Sequence, residues 1–349
     1  MLKQLDALSR DLETMTPVVD QAVRELTAHS SLAEIDKVFL IGNGDSHHAS
    51  RAAEMAYEVL TEVSCEPLPA EHMLSYHLPH MSRESARRCL VIGVSVSGRS
   101  PRVLAALAAA REHGAHTLAV TGTHGSPVTS AAERQLVVSL PDLVPSPGIR
   151  TFQAMLLGLL VTAVRLAASH GTRTCDEADA LCAEIRGLAC AVDATNERLR
   201  TVCPDVALRV ADAPVMAFLG SGPSLGTAMY GAAKLVEGAG VMAVGQDLEE
   251  WWHVERFARP HSMPIFVLAP PGRTHDKAID VAARAAALGR HVYCVTQDRG
   301  TSATETPYGL LPVHGTVGEV FSPLLYHLFA SRVAAHVAHS LGRLPFSQQ

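Results

Sequence analysis

Two stretches of this chain combine residue types that can do chemistry. In the first, Ser95-Val96-Ser97-Gly98-Arg99-Ser100 sets three hydroxyls around a glycine, and Pro101 follows, a residue suited to the first turn of a helix. Free backbone N–H groups, the positive end of a helix dipole and serine hydroxyls together suit a phosphate. The same serines also suit an N-cap and a turn, a role that needs one hydroxyl rather than three. Ser46, after Gly42-Asn43-Gly44-Asp45, can add a fourth hydroxyl. Neither loop has the Gly-Lys-Ser/Thr of a nucleotide loop, and no third glycine follows Gly42 and Gly44 at position 47. In the second stretch, Lys234 and Glu237 are one helical turn apart, and Glu250-Trp251-Trp252-His253 follows. A carboxylate and an imidazole move protons at carbon and oxygen near neutral pH. A salt-bridged, solvated helix and its loop explain the same charges.

These residues need elements to hold them, and the apolar pattern supplies candidates. Val38–Ile41, Leu90–Val94 and Thr117–Val120 read as strands, each followed by turn residues and then a helical stretch: one to about Leu60, one through His113, and a long one over 151–169. Residues 172–207 read as a connecting helix that Pro204 ends. Val215–Leu219, Ile265–Leu268 and the stretch from Gly289 to Thr296 then repeat the three landmarks about 175 residues later. The expected fold is therefore α/β, a tandem repeat of two doubly wound parallel sheets in flavodoxin-like three-layer form. The expected organisation is an N-terminal helix over 1–30, a first domain over 31–171, the connecting helix over 172–207, a second domain over 208–340 and a tail over 341–349. The copies differ where chemistry is expected. Ala269 and Pro271 replace Ser95 and Ser97, and Val59 stands where the second copy has Glu237. Only the first copy is expected to hold a phosphate well.

Composition narrows the function classes. Of 349 residues 48% are hydrophobic and 18% charged, which excludes a disordered chain. With 29 Lys+Arg against 35 Asp+Glu the net charge is −6, and no basic run suggests nucleic acid or a membrane surface as partner. The apolar stretches read as too short or too broken to span a bilayer, and the first residues lack the apolar core of a signal peptide, so a cytoplasmic location is expected. Seven scattered cysteines without a Cys-x-x-Cys pair, and 18 histidines without a His-Glu-x-x-His pattern, give no metal site and no disulfide framework.

Gly-Asn-Gly-Asp-Ser followed by Ser-Val-Ser-Gly-Arg-Ser in a duplicated α/β unit resembles the SIS (sugar isomerase) phosphosugar-binding family, over roughly residues 30–340. Lys234-x-x-Glu237, then Glu250 and His253, is similar to the isomerase half of the glucosamine-fructose-6-phosphate aminotransferases. The resemblance implies two SIS domains, no cofactor and an isomerase acting on a phosphorylated sugar or amino sugar through an enediol or enolamine, with deamination or fructosamine-type deglycation as coupled chemistries. Ser46, Ser95, Ser97 and Ser100, with the backbone at Val96 and Gly98, would hold the phosphate. Glu237 would shuttle the proton between C1 and C2, with Lys234 and Glu250 beside it. His253 would assist ring opening in the site of a partner subunit, which implies a homodimer. Gly44, Asp45, Trp251 and Trp252 would wall the pocket.

The chain departs from the family at Val96 and Arg99, where Gln and Glu are usual, at Trp251-Trp252, and in a C-terminal segment Gly342–Gln349 without the family's lysine. Arg99 adds a cation that also suits a sulfonated or carboxylated sugar. With no glutaminase segment or N-terminal catalytic cysteine, glutamine-dependent transfer is not expected. The reading from another class is a non-catalytic phosphosugar sensor.

Overall fold

The computed structural model of the protein describes residues 1–28, 32–144, 146–298, 300 and 306–346. The expected boundary at 30/31 and the tail residues Ser347–Gln349 lie outside them. The chain divides into two compact units. The first comprises Arg10–Asp142 with Arg150–Gly187; the second comprises Met1–Ser9, Leu143–Ile149 and Leu188–Gln349.

In chain order the elements of the first unit are α1 (Leu8–Thr27), β1 (Lys37–Gly42), α2 (Asp45–Thr61), β2 (Ser64–Pro69), β3 (Cys89–Val94), α3 (Pro101–His113), β4 (His116–Thr121), β5 (Arg134–Val137) and α4 (Arg150–His170). The helix α5 (Cys175–Val210) passes from the first unit into the second. There follow β6 (Val215–Leu219), α6 (Pro223–Ala239), β7 (Met242–Gln246), α7 (Leu248–His253), β8 (Pro264–Ala269), α8 (His275–Ala287), β9 (His291–Gln297), β10 (Gly309–Val313) and α9 (Leu328–Ser340). Every strand pair is parallel. The sheets run β2-β1-β3-β4-β5 and β10-β9-β8-β6-β7, so the second read backwards repeats the order of the first.

The likeness extends to single torsions. Gly44 caps α2 at φ 53°, ψ −131°, and Gly222 caps α6 at φ 57°, ψ −130°. That region is essentially open to glycine alone. It lets a strand turn directly into its helix, so each unit carries the same tight junction. Phe39, Ile41, Val91 and Leu107 fill one core on the first sheet, and Leu219, Ile265, Val267 and Val281 fill another on the second.

Four strands escaped the sequence pattern, namely β2, β5, β7 and β10, and all four are sheet edges. Edge strands tolerate proline and mixed polarity, as Pro67 in β2 and Pro312 in β10 show, so no unbroken apolar run marks them. Two expectations are corrected. Pro204 does not end the connecting helix: α5 runs through it to Val210, because Cys203, Val206 and Ala207 beside it are buried and outweigh one lost backbone bond. And one helix, α4 with 21 residues, is long and apolar enough to cross a membrane. Almost all of it is buried inside the protein instead, packed on α2, with its two arginines neutralised internally. Arg150 holds Asp11 through two nitrogens, and Arg165 holds Asp20 and Asp179.

Candidate functional site

In an open parallel sheet, ligands bind outside the carboxyl ends of the strands where the strand order reverses. In the first unit that point lies between β1 and β3, and it is framed by the loops Asn43–Gly44 and Ser95–Ser100. The two loops touch, Asn43 Nδ2 donating to Ser100 Oγ at 3.4 Å. The second loop is held from below. The Val96 carbonyl accepts from the Gly122 N–H at 3.0 Å and from the hydroxyls of Thr121 and Thr123 at 3.2 Å each. Gly98 N–H donates to the Ser95 carbonyl at 2.9 Å, and the Gly98 carbonyl accepts from Val128 N–H at 3.0 Å. A Cβ on Gly98 would stand 2.0 Å from Ser126 Oγ, so no other residue fits without moving that serine.

With its underside satisfied, the loop's upper side is open. Among the described residues, the N–H groups of Val96 and Ser97 find no acceptor, and Ser100 stands at the N-cap of α3 with no side-chain capping bond. Ser95 is buried, Ser97 exposed, Ser100 half-buried and Ser46 just buried in the first turn of α2. Arg99 is exposed, with no carboxylate partner among the described residues. Such a loop can accept an anion through unspent donors and a helix N-terminus. Asp45 lies 3.6 Å from His48 Nδ1. Burial, then the charges of His48 and Arg51, pushes His47 down to about 4, so this helix start carries a neutral imidazole.

The corresponding loop of the second unit, Pro270–Thr274, is already occupied. Glu319 reaches into it: Arg273 N–H donates to Oε1 at 3.1 Å, and a Cβ on Gly272 would lie 2.4 Å from the Glu319 Cδ. The neighbouring loop is closed the same way, with Ser221 Oγ 2.6 Å from Asp247 Oδ2. Asp247 also caps α7, accepting from Glu249 N–H at 2.8 Å.

Lys234 and Glu237 lie at the far end of α6 from its capping glycine. Lys234 is wholly buried, Glu237 keeps about a third of its side chain exposed, and the two form an ion pair. The last turn is held by the chain's end: Arg343 donates to the Ala239 carbonyl at 2.8 Å, and Phe346 N–H donates to the Glu237 carbonyl at 2.8 Å. The structure does not bring His253 to this pair. α6 ends at the start of β7 and α7 begins beyond its end, so the five residues of β7, roughly 16 Å, separate them. His253 is exposed and pairs with Glu249 at 3.0 Å, while Glu249 also binds Lys277. Glu250 is exposed and without a side-chain partner among the described residues.

The tryptophans separate in role. Trp251 is fully buried among Leu248, Ile265 and Ala282, so it is core and not the wall of an open pocket. Trp252 is half-buried, with the guanidinium carbons of Arg256 at 4.7 Å and Arg284 at 5.4 Å from its ring centroid. Sequence reasoning missed Arg290. It is buried and donates to four backbone carbonyls, those of Glu255, Arg256, Ala258 and Pro260, at 2.7–3.4 Å. This fixes the segment after α7, and no local motif announces it because its partners are all main chain.

The comparisons with known proteins fit this geometry. The SIS domain family matches residues 31–165. Glutamine–fructose-6-phosphate aminotransferase (isomerizing) of Gloeobacter violaceus is 26% identical over 310 residues, 89% of this chain and 50% of that protein. The same enzyme of Rhizobium leguminosarum bv. viciae is 24% identical over 97% of this chain and 55% of that protein. The chain spans about half the length of the curated relatives it matches. Among solved structures, the C-terminal domain of glucosamine-fructose-6-phosphate aminotransferase from Francisella tularensis superposes with a TM-score of 0.88 at 16% identity, covering 99% of this chain and 98% of that one. Tagatose-6-phosphate ketose/aldose isomerase from Escherichia coli gives 0.77 at 14% identity, over 98% and 93%. At these identities the structures share the fold. Over residues 31–165 this chain is similar to the SIS domain family.

Proposed function

We propose that this chain is a sugar-phosphate isomerase built from two SIS domains, acting on a phosphorylated hexose or amino-hexose. The observation that carries the reading is the ion pair at the end of α6, where a wholly buried ammonium holds a carboxylate that stays open to solvent. A base for abstracting a carbon-bound proton needs that combination of fixed orientation and access. The loop Ser95–Ser100, with Ser46 and Arg99, anchors the phosphate through its unspent N–H groups and hydroxyls.

In the proposed step, Glu237 takes the proton from C2 of the open-chain aldose. The C–H electron pair becomes the C1=C2 bond of an enediol while the C1 carbonyl oxygen gains a proton. Return of the carbon proton to C1, with loss of the C2 hydroxyl proton, gives the ketose. An amino sugar passes through the matching enolamine, from which deamination or deglycation can branch. Because β7 separates Glu237 from His253 within one chain, His253 is proposed to serve the site of a second copy, making the working unit a cytoplasmic homodimer.

The test is exchange in D2O, followed by NMR, with fructose 6-phosphate, glucose 6-phosphate and glucosamine 6-phosphate. The wild type is expected to exchange the C1 or C2 proton, and Glu237→Gln is expected to bind the sugars and lose exchange by about a thousandfold. A wild type that binds the sugars and exchanges nothing would be a sensor, and the isomerase reading would fall.

A further inference from the structure

We infer that Tyr230, fixed by α9, is a positioning residue for the Lys234–Glu237 pair; the inference rests on the role proposed above for Glu237. Lys234 has no exposed surface, and an ammonium taken out of water needs compensating partners with fixed geometry. One is Glu237. Another is the aromatic ring one turn back on the same helix, since Lys234 Nζ lies 5.1 Å from the Tyr230 ring centroid. An i, i+4 spacing stacks the lysine stem over that ring and leads its head towards Glu237.

Tyr230 is itself fully buried and held from α9. Its hydroxyl is 2.8 Å from Ser331 Oγ, and His327, the N-cap residue of α9, stands edge-on to its ring at 5.5 Å and 85°. Ser331 and His327 are both fully buried. Burial pushes His327 down to about 3, so the group beside the ring is a neutral imidazole and brings no second cation to it. The contacts therefore form one line through the second unit. α9 fixes the tyrosine, the tyrosine guides the lysine, and the lysine aims the carboxylate. Tyr230 touches no reacting atom in this scheme; it acts through Lys234.

Two measurements on the full chain test this. In the D2O exchange assay with fructose 6-phosphate and glucosamine 6-phosphate, Tyr230→Leu removes the ring and is expected to lower kcat about tenfold with KM within twofold of wild type. Tyr230→Phe and Ser331→Ala keep the ring but free it from α9, and each is expected to lose about threefold in kcat at unchanged KM. Unchanged kcat in Tyr230→Leu, or a change in KM alone, overturns the inference. If Tyr230→Leu does not fold, Ser331→Ala decides: an unchanged kcat there overturns it. The second measurement is a urea-unfolding cycle of Tyr230→Leu, Lys234→Met and the double variant. Non-additive midpoints are expected because the two residues touch, and additive midpoints overturn the inference. If the wild type exchanges no proton with either sugar phosphate, the isomerase reading falls and this cycle alone decides the positioning claim.

Discussion

The loops after β3 and β8 occupy the same place in sheets of the same order, yet one is open and the other closed by the protein itself. Both need a glycine because another side chain comes too close for a Cβ, a serine hydroxyl at Gly98 and a carboxylate at Gly272. In the first loop, serines leave donors unspent. In the second, prolines at 270 and 271 remove two N–H groups, and Glu319 takes the N–H of Arg273. Two sheets of the same order thus carry corresponding loops, and sequence changes at a few positions leave N–H groups unpaired in one and place the Glu319 carboxylate in the other. In a chain with net charge −6, bulk attraction does not gather anions, so the proposed phosphate site depends on local donors.

The largest expected break in this comparison is Gly98→Ala. Its Cβ would meet Ser126 Oγ, and its φ of +62° disfavours any side chain. Affinity for glucosamine 6-phosphate, read by calorimetry, should fall by about a hundredfold, given strain of about 1–3 kcal/mol plus lost donors. Gly272→Ala should leave that affinity within about twofold. Next comes Ser97→Ala, which removes one hydroxyl from a charged ligand and should weaken binding by about tenfold, against no change for Thr274→Ala. Equal effects at the two positions would dissolve the distinction between the loops.

Glu319→Gln should cost about 1 kcal/mol in urea unfolding, because the Arg273 N–H trades a charged acceptor for a neutral one, with phosphosugar affinity unchanged. Each unit also carries a strongly depressed histidine, His47 at about 4 and His327 at about 3, and burial lowers His77 and His336 as well. Their folded pKa values lie below the ordinary 6.5, so the unfolded chain binds more protons in between. Stability should therefore be full above pH 6.5 and fall as the pH drops towards 4 and then 3. For the fully buried His327 the slope is about 1.4 kcal/mol per pH unit, and it should be less for the partly exposed His47. Asn at either position should flatten its share of the slope in urea titrations between pH 4 and 7.

Much of the fold is legible in the sequence because interior parallel strands are continuous apolar runs, and β1, β3, β4, β6, β8 and β9 all carry that signature. The like strand–helix junctions show because Gly44 and Gly222 must hold a torsion that other residues refuse. The edge strands are not legible, since an edge is defined by what does not pair with it. The two stretches singled out for chemistry are present as local features, one a loop above β3 and β4, the other an ion pair at a helix end. Trp251 and Trp252 show the limit, for identical neighbours in sequence become a core residue and a surface stack.

The sequence by itself determined the α/β class, the repeated junction glycines, the serine loop and the Lys234–Glu237 turn, since each depends on contacts within a few residues. Tertiary structure alone decided that Glu319 reaches into the loop after β8, that Arg290 ties down the segment after α7 and that Tyr230 lies between α9 and Lys234. It also set His253 at the other end of β7 from Glu237. These are pairings between residues far apart in the chain, and only the packing of helices on a twisted sheet fixes which of them meet.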